Sequence, residues 1–427
     1  MKTIIDIAKE LLTANTQVSD YKVKVHRKDS YEMFFVKGKL ETVRRTYTRD
    51  MEVTVYVDHD DFRGESQFLI YPYTTEEDLP ALIHEAVEKA KLINNKHFTL
   101  PEAEQGGYDV PSNFSKFYMP DLASAISKAV FEANTIDRAS LNSVEVFVNE
   151  HIDIISNSRG LKKEQRYFTA MVETIPTFNG EMQSVELYHQ YNFSSFDREN
   201  VVREVRDMLL AAKARYEAIT PDFSLDCDVV LNKQEVSELI WNIAEDLNYA
   251  SVYSHSNLFS KGDSIQKDPK GDLISITMTG ALEGSTRSSC FDADGLALTD
   301  RQIVLGGKAV DYFGSNRYGQ YLGEKPTGDL RCLICDAGSV KKSDMPETYL
   351  EIISMSGLQV DFYTDYIGGE VRLAYYHDHG KITPVTGISV SGKLGEMLNQ
   401  IRLSADCALQ GSYYGPEQAI LTGMSIF

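Results

Sequence analysis

Residues that carry covalent or metal chemistry are scarce in this 427-residue chain, which has five cysteines, nine histidines and one tryptophan. Five cysteines without framework spacing exclude a disulfide-stapled scaffold, and reduced thiols in a cytosol are the expectation. No segment is apolar for the length of a bilayer, which excludes a membrane-spanning helix. The opening residues 1–12 are interrupted by charge every few positions, so they suit an amphipathic helix and not a signal-peptide core. A cytoplasmic protein is therefore expected, and the sequons at Asn113 and Asn192 carry no meaning there. Positive charge is also short: 43 Lys and Arg face 63 Asp and Glu, a net charge of −20. Bare DNA or an anionic membrane would repel such a chain, so no direct nucleic-acid or membrane partner is expected.

What is present is an ordinary globular composition, 42% hydrophobic and 25% charged. Periodicity predicts helix over 2–16, strands across 20–70 and helix over 76–94. The same order returns near 121–136, 143–194 and 197–216, which predicts one α+β unit used twice, at about 1–100 and 119–220. A boundary falls near Thr220-Pro221-Asp222. From 221 to 427 the chain reads as one helix, about 234–248, followed by β-rich segments joined by glycine turns. The fold class is thus α+β: a duplicated helix–sheet–helix domain over 1–220, then a β-rich, barrel-like domain over 221–427.

The candidate sites are weak when weighed as chemistry. His84-Glu85 lacks a second imidazole at zinc spacing and reads as part of a charged helix face. His377 and His379 share a strand period, but their flanks make a hairpin with Asp378-His379-Gly380 at its tip. Cys332 and Cys335 lie i, i+3 in a strand-like run, where they point to opposite faces as core thiols. Gly387 to Leu394 nearly spells a phosphate loop but has Leu394 where the Mg²⁺-binding hydroxyl belongs, and Asp292 to Gly295 lacks the later ligands of a calcium loop. Ser288-Ser289-Cys290 has no nucleophile-elbow glycines, so no catalytic residue is assigned.

Four punctuated segments carry a more specific signal through their order: Phe291-Asp292-Ala293-Asp294-Gly295, Pro326-Thr327-Gly328-Asp329-Leu330-Arg331, Gly368-Gly369-Glu370-Val371 and His379 to Gly387. Together they resemble the C-terminal half of the TldD/PmbA family, described as modulators of DNA gyrase and as metalloproteases. In that family one relative bears HExxxH on a helix and a metal-binding Cys near the C-terminus; its pairing partner, the PmbA or TldE type, does not. The matching window here is Leu239 to Asp246, without an imidazole, and Tyr413 falls where the Cys would be. The resemblance therefore implies a PmbA-type chain with no metal site and no cofactor of its own, zinc belonging to a catalytic partner.

By the same resemblance the segment Ala250 to Phe259 is the substrate-binding candidate, with Tyr253 and His255 as its side chains, set against a plain surface connection. The implied function is a non-catalytic subunit of a peptide-processing metalloprotease, partnered by a zinc-bearing homologue or by a second copy. The competing expectations are a regulatory or binding protein without proteolytic role, and a hydrolase with a different active site.

Overall fold

The computed structural model describes residues 2–427. Helix forms 23% and strand 42% of the chain, with a curled half-barrel sheet. The first half uses one order of elements twice. Helix α1 (Ile4–Ala14), strands β1 (Asp20–Val36), β2 (Lys39–His59) and β3 (Phe62–Leu69), and helix α2 (Leu79–Ala90) form the first unit. Two short strands follow, β4 (Asn95–Lys96) and β5 (Gln105–Asp109). The second unit is α3 (Met119–Glu132), β6 (Ala139–Asn157), β7 (Lys162–Asn179), β8 (Ser184–Glu186), β9 (His189–Phe193) and α4 (Arg198–Glu217).

Local chemistry explains these elements. Thr3 and Asp6 close a capping box on α1, whose Ile5, Ala8 and Leu12 form its buried stripe. Asp197 accepts the backbone N–H groups of Glu199 and Asn200 to start α4. Lys37 and Gly38, both at positive φ, make the two-residue turn that sets the β1–β2 register. At Gly64 an added Cβ would lie 1.8 Å from the Ala90 carbonyl, so only glycine lets β3 approach the end of α2.

The units join where β1 pairs antiparallel with β6, giving a nine-stranded sheet in the order β4-β3-β2-β1-β6-β7-β5, with β8 and β9 also on β7. One face is apolar and covered by helices. Val23, Val25, Val53 and Val55 pack under α1 and α2, and Val144, Val146, Val148 and Val172 under α3 and α4. Each such side chain, fully buried, contributes about 1.5–3 kcal/mol. Because strand side chains alternate, the intervening residues stand on the other face, and near the sheet centre these are polar. Only residues 52–59 of β2 pair with β3, so 39–50 form an open edge beyond β1.

In the second half, β10 (Asp228–Leu231) leads into α5 (Lys233–Asp246) and α6 (Tyr249–Tyr253). Strands β11 (Ile276–Thr279), β12 (Arg301–Leu305) and β13 (Lys308–Ala309), helix α7 (Asn316–Leu322) and strand β14 (Cys332–Cys335) follow. Next come β15 (Thr348–Met355), β16 (Gln359–Asp361), β17 (Tyr366–Asp378), β18 (Lys381–Val385) and β19 (Ile388–Lys393). Helix α8 (Leu394–Gln400) precedes β20 (Arg402–Leu403), β21 (Cys407–Gln410), β22 (Tyr413–Pro416), β23 (Ala419–Leu421) and β24 (Ser425–Ile426). They build two sheets: β20-β23-β10-β15-β17-β19-β24, with β16 and β18 beside β17, and β13-β12-β11-β14-β22-β21. The β-rich half thus consists of two sheets over one shared core, into which α5 sinks Val236, Leu239, Ile240 and Ile243. The shortage of helical periodicity between 270 and 390 matches this: α7 is the only α-helix there.

Candidate functional site

The two halves meet over the polar face of the first sheet. Lys22 Nζ on β1 is 2.5 Å from the Asp294 carboxylate. Gln165 Oε1 on β7 accepts from the Cys290 backbone N–H at 2.9 Å and from Ser289 Oγ at 3.1 Å. Farther along, Asn316 and Gln320 of α7 donate to the Thr99 carbonyl. These ties leave a cleft of about 420 Å³. Its floor is Lys24 and His26 of β1, Asp153 of β6, and Gln165 and Tyr167 of β7. Its roof is the loop Thr286–Ser289, Phe291 and Asp292, with Asp329 and Arg331 at the side.

Two of the four segments that carry the family resemblance converge here. Asp292 Oδ1 accepts the N–H groups of Asp294 and Leu296, fixing the turn, and its Oδ2 accepts the N–H of Asp329. Gly295 and Gly328 both have φ near +80°, which a β-carbon disfavours. Thr327 is fully buried, and its Oγ1 accepts the Gly314 N–H. Burial, together with Asp294 beside it, pushes the Asp292 carboxyl up to about 6.

On the floor, strand register sets His26 against Asp153, Asp153 against Gln165, and His151 against Tyr167. His26 Nδ1 lies 2.6 Å from Asp153 Oδ1, and Gln165 Nε2 donates to Asp153 Oδ2 at 3.2 Å. Burial alone would raise the Asp153 carboxyl, but the bonds from His26 and Gln165 outweigh it and hold it below its usual range. His26 Nε2 sits 3.4 Å from His151 Nδ1, and His151 Nε2 is 2.9 Å from Thr169 Oγ1. Burial first, then the neighbouring His26, pushes the His151 imidazole down to about 4, so it is neutral at pH 7. Burial, with Asp153 nearby, pushes the Tyr167 phenol up. Both ring nitrogens of His26 are thus engaged within the protein, by Asp153 and His151, which fixes the ring and suits binding better than proton transfer to a substrate.

The residues singled out in the sequence lie elsewhere. Tyr253 ends α6 and packs its ring on Tyr321 and Tyr318 of α7, with centroids 5.0 and 5.6 Å away. His255 follows at φ 56° and is exposed. Neither lines the cleft; their neighbours Ser251 and Ser256 line a separate hollow of about 220 Å³ with Asn242, Asp246 and Tyr363. His84 is exposed on α2 beside the Glu85–Lys89 pair. His377 stacks on Tyr349 and meets Glu351, whereas His379 occupies the hairpin turn beside Asp378, so the two imidazoles have separate partners. Cys332 and Cys335 are buried, and burial pushes the Cys335 thiol up to about 12.

The family's zinc can be tested against the side chains at the matching places. Trp241 packs against the main core. Asn242 donates to the Glu238 carbonyl within α5. Both Asp246 carboxylate oxygens accept backbone N–H groups, of Leu258 and Phe259. Tyr413 is fully buried, and its hydroxyl donates to the Pro416 carbonyl at 3.1 Å. An indole, an amide, a single carboxylate held by two backbone N–H groups and a buried, bonded phenol, with no imidazole or thiolate among them, do not fit a tetrahedral zinc site.

Reasoning from sequence missed His26, Asp153, Gln165, Tyr167 and Arg287. The available signal was the run Lys22, Lys24, His26, Lys28 alternating with Val23 and Val25, which marks a polar sheet face above a helix-covered one.

Residues 224–426 match the family model described as the PmbA/TldA metallopeptidase C-terminal domain. A metalloprotease PmbA homolog from Haemophilus influenzae is 24% identical over 316 residues, covering 67% of this chain and 64% of that one. The chain thus spans less than two thirds of that relative's length. TldE from Thermococcus kodakarensis superposes with a TM-score of 0.79 at 13% identity, over 99% of this chain and 100% of that one. A candidate modulator of DNA gyrase from Bacteroides thetaiotaomicron gives 0.77 at 15%, over 99% and 97%. At these identities the solved structures establish the fold.

Proposed function

We propose that this chain, whose residues 224–426 match the PmbA/TldA metallopeptidase C-terminal domain, is a PmbA/TldE-type subunit of a peptide-processing metallopeptidase, binding substrate while a zinc-bearing homologue performs the hydrolysis. The observation that carries this reading is the employment of Trp241, Asn242, Asp246 and Tyr413 in packing and internal hydrogen bonds. A zinc-activated water needs imidazole, thiolate or carboxylate ligands converging on one ion, and these positions supply no imidazole, no thiolate and a single carboxylate. Two features support a binding role. The cleft presents polar, internally held groups, and the open edge of β2 over 39–50 offers backbone donors and acceptors to an extended chain.

Co-expression with the HExxxH-bearing homologue of the same cell is the test. The expected result is a co-purifying pair that cleaves an unstructured peptide faster than the homologue alone, while this chain alone cleaves nothing. Chelator-sensitive cleavage by this chain alone would overturn the proposal. A chain that neither joins the homologue nor binds peptide would favour a regulatory role instead.

A further inference from the structure

The charges of the cleft are unequal in their engagements. Each acid is occupied: Asp153 by His26 and Gln165, Asp292 by three backbone N–H groups, and Asp329 by the Arg331 guanidinium at 2.8 and 3.0 Å. The bases Lys24 and Arg287 stand apart. Lys24 Nζ is 3.9 Å from Glu52 in a pair open to solvent, which holds it weakly. Arg287 is exposed on the roof loop and has no carboxylate within ion-pair distance among the described residues. Both line the same 420 Å³ space, one from the floor and one from the roof.

We propose that this cleft binds a carboxylate, held between Lys24 and Arg287. The inference rests on the reading of the chain as a peptide-binding subunit, and it names the group on the peptide that is recognised: a C-terminal carboxyl or an Asp or Glu side chain. A carboxylate between two cations gains charge-assisted hydrogen bonds stronger than those of a neutral amide. The net charge of −20 opposes a polyacidic ligand, so recognition falls on one carboxylate at a defined place.

Fluorescence anisotropy with three fluorescein-labelled octapeptides of Ala, Gly and Ser tests this. One ends in a free carboxyl, one in an amide, and one in an amide with a single internal Glu. The expected result is binding about tenfold tighter for at least one carboxylate-bearing peptide than for the plain amide, and which of the two it is identifies the source. K24Q and R287Q, both at solvent-accessible side chains, should each remove most of that preference while leaving the thermal midpoint unchanged. Equal binding of all three peptides overturns the carboxylate proposal and leaves peptide binding standing. Failure of all three to bind overturns the peptide reading. A second measurement then decides the carboxylate itself: N-acetylglutamate, and not N-acetylglutamine, should protect Arg287 from phenylglyoxal, and no protection would overturn the site.

Discussion

Gln165 and Cys290 join the two halves of the molecule, the Gln165 side-chain oxygen accepting the Cys290 backbone N–H at 2.9 Å. The same amide donates to Asp153, so one buried side chain links the interface to the His26–Asp153 pair. Replacing Gln165 with Leu leaves a buried N–H and one Asp153 oxygen without their partner. A loss of about 1–3 kcal/mol in urea-monitored unfolding is expected. An unchanged midpoint would show that water replaces the amide at no cost.

Glu235 gives a pH dependence of defined sign. It is buried in the first turn of α5, with Oε2 unpartnered among the described residues, and burial pushes its carboxyl up to about 8. The folded state therefore keeps a proton that the unfolded chain releases near pH 4.5, and stability falls as pH rises from there toward 8. Glu235→Gln removes this loss. Its advantage over the native chain should be near zero at pH 4.5 and grow to the order of 3–5 kcal/mol by pH 8. Denaturant midpoints measured at both pH values provide the check.

His151 acts in the opposite direction. Its imidazole is held at about 4 in the folded state, below the usual 6.5. The unfolded chain binds this proton first, so the stability is complete above pH 6.5 and is lost as pH falls toward 4. His151→Gln should flatten the acid limb of a stability profile across that window. An identical profile would place the acid sensitivity in other groups.

For metal, elemental analysis of the purified chain should give well below one equivalent of zinc, because Trp241, Asn242, Asp246 and Tyr413 are committed to internal structure. One equivalent that leaves together with activity on chelation would contradict this.

Buried ionic structure provides a control for the fold alone. Arg63, fully enclosed, donates to Asp20, Asp58 and the Phe98 carbonyl. Arg63→Ala leaves Asp20 buried without its cation, and a loss of about 3–5 kcal/mol in thermal or urea unfolding is expected.

The chain alone determined whatever depends on near neighbours. Apolar alternation in 144–148 and the i, i+4 stripe of Val201, Val205 and Leu209 specify strand and helix because side-chain periods follow from backbone geometry. His379-Gly380 makes its hairpin as a type I′ turn, which needs positive φ at both positions, here 48° and 87°. The motif order also carried the resemblance to the TldD/PmbA family, and with it the expectation of the fold that the solved structures share. Tertiary structure decided the cleft. Residues 24–26, 153, 165–167, 286–292 and 329–331 meet only through the β1–β6–β7 register and the docking of a loop more than a hundred residues away. Neither is encoded in local spacing. The same holds for protonation: His151 and Asp292 have ordinary side chains whose titration is displaced by burial, which exists only once the sheet is paired and covered.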